Sequence, residues 1–581
     1  MRSAAAALLT APLLAAPLLA ALLQARPARA ARLSATPNVL FIAVDDLRPE
    51  HGVYGGAAVT PHIDAFARTA LTFRRNFVQV GVCSPSRTSL LTGRYPDTTH
   101  ITDLYHYFRT FGGPNATTLP ETFRLAGHLT RGAGKIFHPG AASGAGLYKN
   151  CSGACGCGCG GYNDPPSWDG YQIPPSMARA PWNITDGQSW MALDEKSFPD
   201  AEHPDGQTAA FISAQLAAAG ARPFFLAPGF LKPHLPFIFP KRFLDLYAGY
   251  DEVARDADPP ANGPMARDSW TGWSEFRAYA DIAALILADN LTEIIARPSN
   301  AMPRAKAVEV RRAYLAAVSY NDFVIGEVLD ALTASGHDND TTVVLWGDHV
   351  SVPENLHART RARAQVLAMN PRYQPPVWRS LFIFTRQGWQ LGDHGDWAKH
   401  TNFESVVRAP LMIRSPLFAA SSAGAATSAL TQHIDIFPTL LELAGLPPDA
   451  GLQGESLVPL LRDPALPALP KRGAFAYSQY PRNTTLCAPP EPDCGFAHAM
   501  GYRVRTPEYS YTEWVRFDNV TYTPNFADPN RQVELYNHTD DAGRNWQSFE
   551  NANIAAVPGN AALVRQLADV LHRGPNLLHP Y

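Results

Sequence analysis

The sequence predicts an α/β fold: a large mixed, mainly parallel sheet flanked by helices, followed by a smaller α+β domain at the C-terminus. Three observations predict it. Continuous apolar runs recur along the chain, among them "NVLFIAV", "PFFLAPGF", "TTVVLWG" and "APLMIR". Such runs, rich in β-branched and aromatic residues, suit strands buried on both faces. Helical patterns such as "PHIDAFARTALTF" and "EVRRAYLAAVSYNDFVIGEVLDAL" separate them, and that alternation belongs to a parallel sheet covered by helices. After "LQGESLVPLL" come short alternating segments, "AFAYSQY", "MGYRVRT", "YSYTEWVRF" and "VELYNHT", and a final helical "NAALVRQLADVLHR". These read as antiparallel strands closed by a helix. The organisation is therefore a leader over 1–30, a main domain over 34–465 and a C-terminal subdomain over 466–581.

The leader is "MRSAAAALLTAPLLAAPLLAALLQARPARA". Arg2 gives a basic start, an Ala/Leu-rich run follows, and Ala28-Arg29-Ala30 is a small-x-small cleavage pattern. The alternative is a membrane anchor, but Pro12 and Pro17 interrupt the run, so a cleaved signal peptide is expected. No later stretch is long and apolar enough to span a bilayer. The expected destination is the secretory pathway, lysosomal or extracellular, without stable membrane insertion. Eight N-x-Ser/Thr sequons, at Asn115, Asn150, Asn183, Asn290, Asn339, Asn483, Asn519 and Asn537, suit that route. A net charge of -3 gives no argument for nucleic acid or for an anionic membrane.

Seven cysteines leave one over in an oxidising compartment. Cys151, Cys155, Cys157 and Cys159 cluster in "CSGACGCGCGG", with spacings unlike a zinc site, and read as a disulfide-tied surface loop. Cys487 and Cys494 bracket a short Pro-rich loop and can close it. Cys83 is the natural remainder. It opens "CSPSRTSLLTGR", where Ser84 suits a helix N-cap, Pro85 its first turn and Gly93 its end. The mouth of a helix N-terminus favours an anion, and Arg87 lies one turn inside. Taken alone, Cys83 reads as a buried thiol. No Cys-His context supports a protease nucleophile.

Two acidic pairs end strand-like runs, Asp45-Asp46 after "NVLFIAV" and Asp348-His349 after "TTVVLWG". In open α/β sheets, ligands gather beyond the carboxyl ends of the strands. One such pair is an ordinary loop or cap. Two at equivalent strand ends make a candidate oxygen-rich site for a divalent cation.

"CSPSRTSLLTGR" matches Cys-x-Pro-Ser-Arg-x-x-x-Leu-Thr-Gly-Arg in every fixed position, and in this it resembles the type I sulfatases. "VDDLRPE", "LTGRYPDTT", "GKIFHPG", "FLKPHLPF", "LGDHGDWAKHTNF", "AYSQYPR" and "MGYRVRT" extend the resemblance over most of the chain, towards the iduronate-2-sulfatase branch of that family. The resemblance implies an alkaline-phosphatase-like fold and sulfuric ester hydrolysis. It implies that a formylglycine-generating enzyme oxidises Cys83 to formylglycine. It implies a calcium ion held by Asp45, Asp46, Asp348, His349 and an oxygen of the modified Cys83; many members carry Asn where His349 stands. Lys135 and His138 carry over as catalytic residues, His234, Lys399 and again Lys135 as substrate-binding residues, and Arg87 as the holder of the formylglycine hydroxyl.

The implied reaction is covalent catalysis. The hydrated aldehyde attacks sulfur, the sugar alcohol leaves with a proton from His138 or His234, and the second hydroxyl then allows sulfate to be expelled. The expected substrate is a sulfated polysaccharide or oligosaccharide, first of all the 2-O-sulfate of an iduronate-type uronic acid. Another sulfated glycan, a small sulfate ester, a phosphonate or phosphate monoester, and a catalytically silent glycan-binding relative are the alternatives.

One segment departs from the family pattern. Residues 350–387 separate Asp348-His349 from "GWQLGDHGDWAKHTNF", with six Arg, no Lys and one acid, Glu354. Removing them restores the family spacing. Val350 has codons beginning GT and Gln387 can be encoded CAG, the usual intron boundaries, so the segment reads as an unspliced intron; a genuine active-site loop is the competing reading. Sequencing of the messenger RNA is expected to give transcripts that pass directly from codon 349 to codon 388. A transcript population that retains the stretch overturns the intron reading.

Overall fold

"NVLFIAV" forms β1 (Asn38–Val44), in which every residue is buried. Its side chains alternate between two cores. Leu40, Ile42 and Val44 enter the core shared with the helices Pro204–Ala217 and Arg304–Ala334. Val39, Phe41 and Ala43 enter the core shared with Cys83–Thr92, Leu119–Leu125 and Ile436–Ala444. Both faces are covered, which is why the strand shows no polar alternation.

The structure is a computed structural model and describes residues 37–112, 115–144, 163–174, 187–252, 279–282, 302–348, 391–395, 397, 399–482, 498–541, 543 and 549–574. After β1 the strands are β2 (Leu71–Phe77), β3 (Leu129–Gly134), β4 (Gly170–Gln172), β5 (Trp190–Leu193), β6 (Phe224–Phe230), β7 (Phe237–Pro240), β8 (Thr341–Gly347), β9 (Leu411–Arg414), β10 (Ala426–Gln432), β11 (Ala476–Arg482), β12 (Ala499–Arg505), β13 (Tyr509–Asp518), β14 (Thr523–Asn525) and β15 (Gln532–Asn537). The large sheet has the order β10-β2-β9-β8-β1-β6-β3-β4. Only β9 runs antiparallel to its neighbours, β2 and β8. The predicted mixed, mainly parallel sheet is present, and "APLMIR" supplies the reversed strand.

Two local expectations are corrected. "PHIDAFARTALTF" is helical only over Pro61–Ala67, and β2 begins at Leu71. The apolar-run criterion also passes over β2, β3 and β10, whose sequences are "LTFRRNF", "LTRGAG" and "ATSALTQ". Their polar side chains find partners inside the fold: Arg75 Nε donates to the Ser428 carbonyl at 2.6 Å and Asn76 Nδ2 to the Ala409 carbonyl at 3.3 Å. Buried polar groups satisfied in this way leave no apolar signature.

The C-terminal sheet is antiparallel, in the order β11-β12-β13-β14 with β15 also on β13. Leu567 and Leu571 of the helix Ala561–Arg573 pack on it with Met500, Val504 and Tyr511. Residues from Pro37 onward form one compact unit. Among the described residues no helix is long and apolar enough to cross a membrane. Asn115, Asn339 and Asn537 are exposed. The 1–30 leader, His349, the 350–387 segment, the other six cysteines and the sequons at Asn150, Asn183, Asn290 and Asn483 lie outside the described residues.

A buried ion-pair network joins the second sheet to the main one. From β12, Arg503 Nη2 reaches Glu404 Oε2 at 2.7 Å and Glu550 Oε1 at 3.1 Å, and Arg505 Nε reaches Glu404 Oε2 at 2.8 Å. Arg505 Nη2 also holds Asp541 Oδ2 at 2.7 Å. Burial opposes the Glu550 charge, but Arg503 and His538 overcome it and hold the carboxyl at about 2, below its ordinary 4.5. A depressed folded-state value means the stability is fully present above the ordinary value and is lost as pH falls through the folded one. Denaturant unfolding from pH 7 downward is therefore expected to show stability declining between about pH 4.5 and pH 2. Glu550→Gln should be less stable by about 3–5 kcal/mol at neutral pH and should flatten that acid decline. An unchanged slope in the variant would remove Glu550 as its source.

Candidate active site

Four neighbouring strands deliver the site. In the order β8-β1-β6-β3, each is followed at its carboxyl end by a functional residue: Asp348 after β8, Asp45 and Asp46 after β1, His234 in the turn after β6, and Lys135 after β3. The ladder continues past the strands, since Asp348 N donates to the Val44 carbonyl at 3.1 Å, Asp45 N to Phe230 at 3.0 Å and Lys135 N to Gly229 at 2.8 Å. Two glycines allow the last of these. Gly134 has a φ of 76°, and a side chain there would meet the Gly229 carbonyl oxygen at 2.0 Å.

The helix Cys83–Thr92 approaches this row with its N-terminus, and Gly93 closes it in the left-handed conformation at φ 66°. The residue before the helix is Val82, not Ser84, and no side chain caps it. The reason is positional: Cys83 itself is the first helical residue, so its side chain stands at the helix mouth, and Ser84 lies inside the first turn.

Cys83, Asp45, Asp46, Asp348, Arg87, Lys135, His234 and Lys399 are all fully buried. Lys135 Nζ bonds to Asp45 Oδ2 and donates to Cys83 Sγ at 3.2 Å. Cys83 Sγ lies 3.8 Å from Asp45 Oδ1. Arg87 donates through Nε to Asp348 Oδ2 at 2.6 Å and through Nη2 to Asp45 Oδ1 at 3.0 Å. His234 Nε2 lies 3.6 Å from Asp45 Oδ2, and Lys399 Nζ lies 3.6 Å from Asp46 Oδ1. His138 is also buried and adds to the positive field at His234. Thus eight of the ten predicted residues are joined by these contacts, His138 acts on His234 through its field, and His349 is outside the described residues.

Charge is arranged to match. Burial, and secondarily the carboxylates of Asp45 and Asp348, push the Cys83 thiol well up. A thiol held neutral in this way is a poor sulfur nucleophile. Burial pushes the His234 imidazole well down, helped by Lys135 and Lys232, and burial likewise pushes Lys399 well down. For Lys135, burial is overcome by Asp45 and the ammonium is held above its ordinary value.

The acidic residues fit a divalent cation. Oxygens of Asp45 and Asp348 and the Cys83 sulfur lie within 4.8 Å of one another, as do donor atoms of Asp45, Asp46 and His234. Both carboxylate oxygens of Asp46 are buried without a hydrogen-bond partner among the described residues. The Lys399 ammonium, 3.6 Å from Oδ1, is too far for a hydrogen bond, so these oxygens are free to take a cation, and an oxygen-rich set suits a hard ion.

Sequence reasoning missed what holds Asp46. This residue has a φ of 65° without being glycine, a strained backbone. Tyr314 from the Arg304–Ala334 helix brackets it, donating its hydroxyl to the Asp46 carbonyl at 2.8 Å and accepting from Arg48 N at 3.0 Å. Nothing local in "RRAYLAAV" marks Tyr314; only the fold brings it to Asp46.

Comparison with known proteins agrees with this geometry. The Sulfatase family profile matches residues 37–446. The iduronate 2-sulfatase of Mus musculus is 32% identical over 545 residues, covering 84% of this chain and 87% of its own. Among solved structures, that of BT4656 in complex with its substrate D-glucosamine-2-N,6-O-disulfate superposes with a TM-score of 0.61 at 19% identity, over 93% of this chain and 97% of that one. The phosphonate monoester hydrolase of Silicibacter pomeroyi gives 0.60 at 20% identity, over 94% and 96%. Those two likenesses establish the alkaline-phosphatase-like fold, and the sequence matches establish the activity class. The chain belongs to the sulfatase family and is a sulfuric ester hydrolase.

Proposed function

We propose that this sulfatase removes the 2-O-sulfate from iduronate-type uronic acids of a glycosaminoglycan, using a formylglycine made from Cys83 and a calcium ion held by Asp45, Asp46, Asp348 and His349. The observation that carries the reading is the convergence of Cys83, Arg87, Lys135, His234 and Lys399 on those carboxylates, in a chain 32% identical to iduronate 2-sulfatase over 84% of its length. The leader-like residues 1–30 support a secretory route, lysosomal or extracellular, on which the formylglycine-generating enzyme acts during maturation.

Converted to formylglycine, position 83 supplies a hydrated aldehyde as nucleophile, with a second hydroxyl for releasing sulfate; calcium supplies positive charge against the sulfate oxygens. The remaining work belongs to the chain's own side chains. Lys135 and Lys399 flank the site and neutralise charge developing on the sulfate oxygens. Arg87 fixes Asp45 and Asp348, and with them the floor on which the reacting group sits. A sugar alkoxide is a poor leaving group, so the departing oxygen needs a proton. His234 provides it from Nε2, and His138, which adds to the field at His234, is the second imidazole available for the role. The negative charge of an entering sulfate ester raises the histidine towards its ordinary range, so protonation is coupled to substrate binding.

Mass spectrometry of the peptide spanning Cys83 from the matured protein is expected to show loss of sulfur and two hydrogens and gain of one oxygen; an intact thiol overturns the mechanism. Cys83→Ala should lower turnover by several orders of magnitude at an unchanged melting temperature. A chelator should remove activity, and added calcium should restore it. With defined disaccharides, 2-O-sulfated iduronate should be desulfated in preference to 6-O-sulfated glucosamine; the reverse order overturns the substrate assignment while leaving the sulfatase chemistry intact.

A further inference from the structure

The turn that carries His234 contains a second buried charge, which enters the chemistry above only through its field at His234. Lys232 is 5% exposed. Its ammonium folds back over its own turn and donates to the His234 carbonyl at 2.5 Å and to the Pro236 carbonyl at 2.8 Å. The start of the same turn is tied from outside. Asp205, on the helix Pro204–Ala217, accepts the Leu231 N–H at 2.7 Å on one oxygen and the Lys232 N–H at 2.8 Å on the other. Lys232 thus closes the turn across its top, and Asp205 pins its base to a helix.

The histidine lies between these two restraints. Its Nδ1 is engaged with the Leu235 carbonyl at 2.5 Å, within the span that Lys232 closes. That contact directs the ring so that Nε2 faces Asp45 Oδ2 at 3.6 Å. An alkyl side chain would fill the position of Lys232 without the cost of burying an ammonium. What an ammonium does, and an alkyl chain cannot, is hold two carbonyls that flank the histidine.

We propose that Lys232 and Asp205 are positioning residues that fix the His234 ring for catalysis. The inference rests on His234 belonging to the active site, as proposed above, and on nothing about which sulfate ester is the natural substrate. Ring placement matters because proton transfer requires hydrogen-bond reach, and a displacement near 1 Å can cost about 10²-fold in rate. A lysine that only filled space would affect the enzyme through its stability and not through His234.

A double-mutant cycle on the matured, calcium-loaded enzyme separates these cases. Turnover of 4-nitrophenyl sulfate and of a 2-O-sulfated iduronate disaccharide is measured for wild type, Lys232→Met, His234→Ala and the double variant, with thermal melting of each. The expected result is that K232M lowers kcat about tenfold or more in the presence of His234. In the H234A background it should change kcat by less than about twofold, because the group it positions is gone. Asp205→Asn, which disturbs the other restraint, should follow the same pattern and serves if K232M does not fold. Equal losses in both backgrounds, or no loss beside an intact His234, overturn the inference and leave the assignment of His234 standing. Wild-type turnover by H234A overturns that assignment, and the positioning role falls with it.

Discussion

The site depends on one buried guanidinium. Arg87 holds Asp348 and Asp45 on one side and donates through Nη1 to the carbonyls of Lys135 and Ile136, at 2.6 and 2.9 Å, on the other. A single side chain therefore ties the ends of β8, β1 and β3 to the helix that presents Cys83. Desolvating a cation this completely is costly, and it is tolerated because two carboxylates and two carbonyls surround it. The planar fork of arginine meets four acceptors in different directions, which the point charge of a lysine would not reproduce. The surrounding carboxylates win over burial and hold the guanidinium above its ordinary value, so Arg87 is a permanent charge.

Two further restraints act at greater range. Tyr314 keeps Asp46 in its left-handed conformation from a helix on the far side of β1. On the other flank, Asn402 Nδ2 donates to the Gly501 carbonyl of β12 at 2.9 Å. Glu404, five residues after Lys399, is held by Arg503 and Arg505 of the same strand. The C-terminal sheet thus anchors the segment that delivers Lys399. Its contribution to the site is made through the backbone of 399–404, with β12 as the fixed point.

Much of this was legible in the sequence, and the part that was not has a common cause. β1 and β8 announce themselves because both faces are apolar, and their terminal acids stand out against those runs. Cys83 and its helix are marked by a local pattern twelve residues long, although the helix starts two residues earlier than its capping residues suggest. Lys232, Asp205 and Tyr314 carry no such mark. Asp205 and Tyr314 act on backbone groups brought near by tertiary folding, Tyr314 on a carbonyl 268 positions away, while Lys232 acts on carbonyls of its own turn. A hydrogen bond of that kind constrains one residue type at one place and imposes no periodicity. The polar strands β2, β3 and β10 were hidden for the same reason, since their stability rests on particular partners and not on an apolar face.

The electrostatics also suit the site to an anionic ester. Burial works against the charges of Lys399 and His234 and lowers both, whereas Lys135 is kept charged by Asp45. The cations are therefore unequal before substrate arrives: Asp45 overcomes burial at Lys135, whereas burial wins at Lys399 and His234. A sulfate ester carries the negative charge that offsets this burial, so its binding and the protonation of the two groups favour each other. Neutral esters gain nothing from that coupling. Selectivity for a charged ester follows from the burial of the site as a whole.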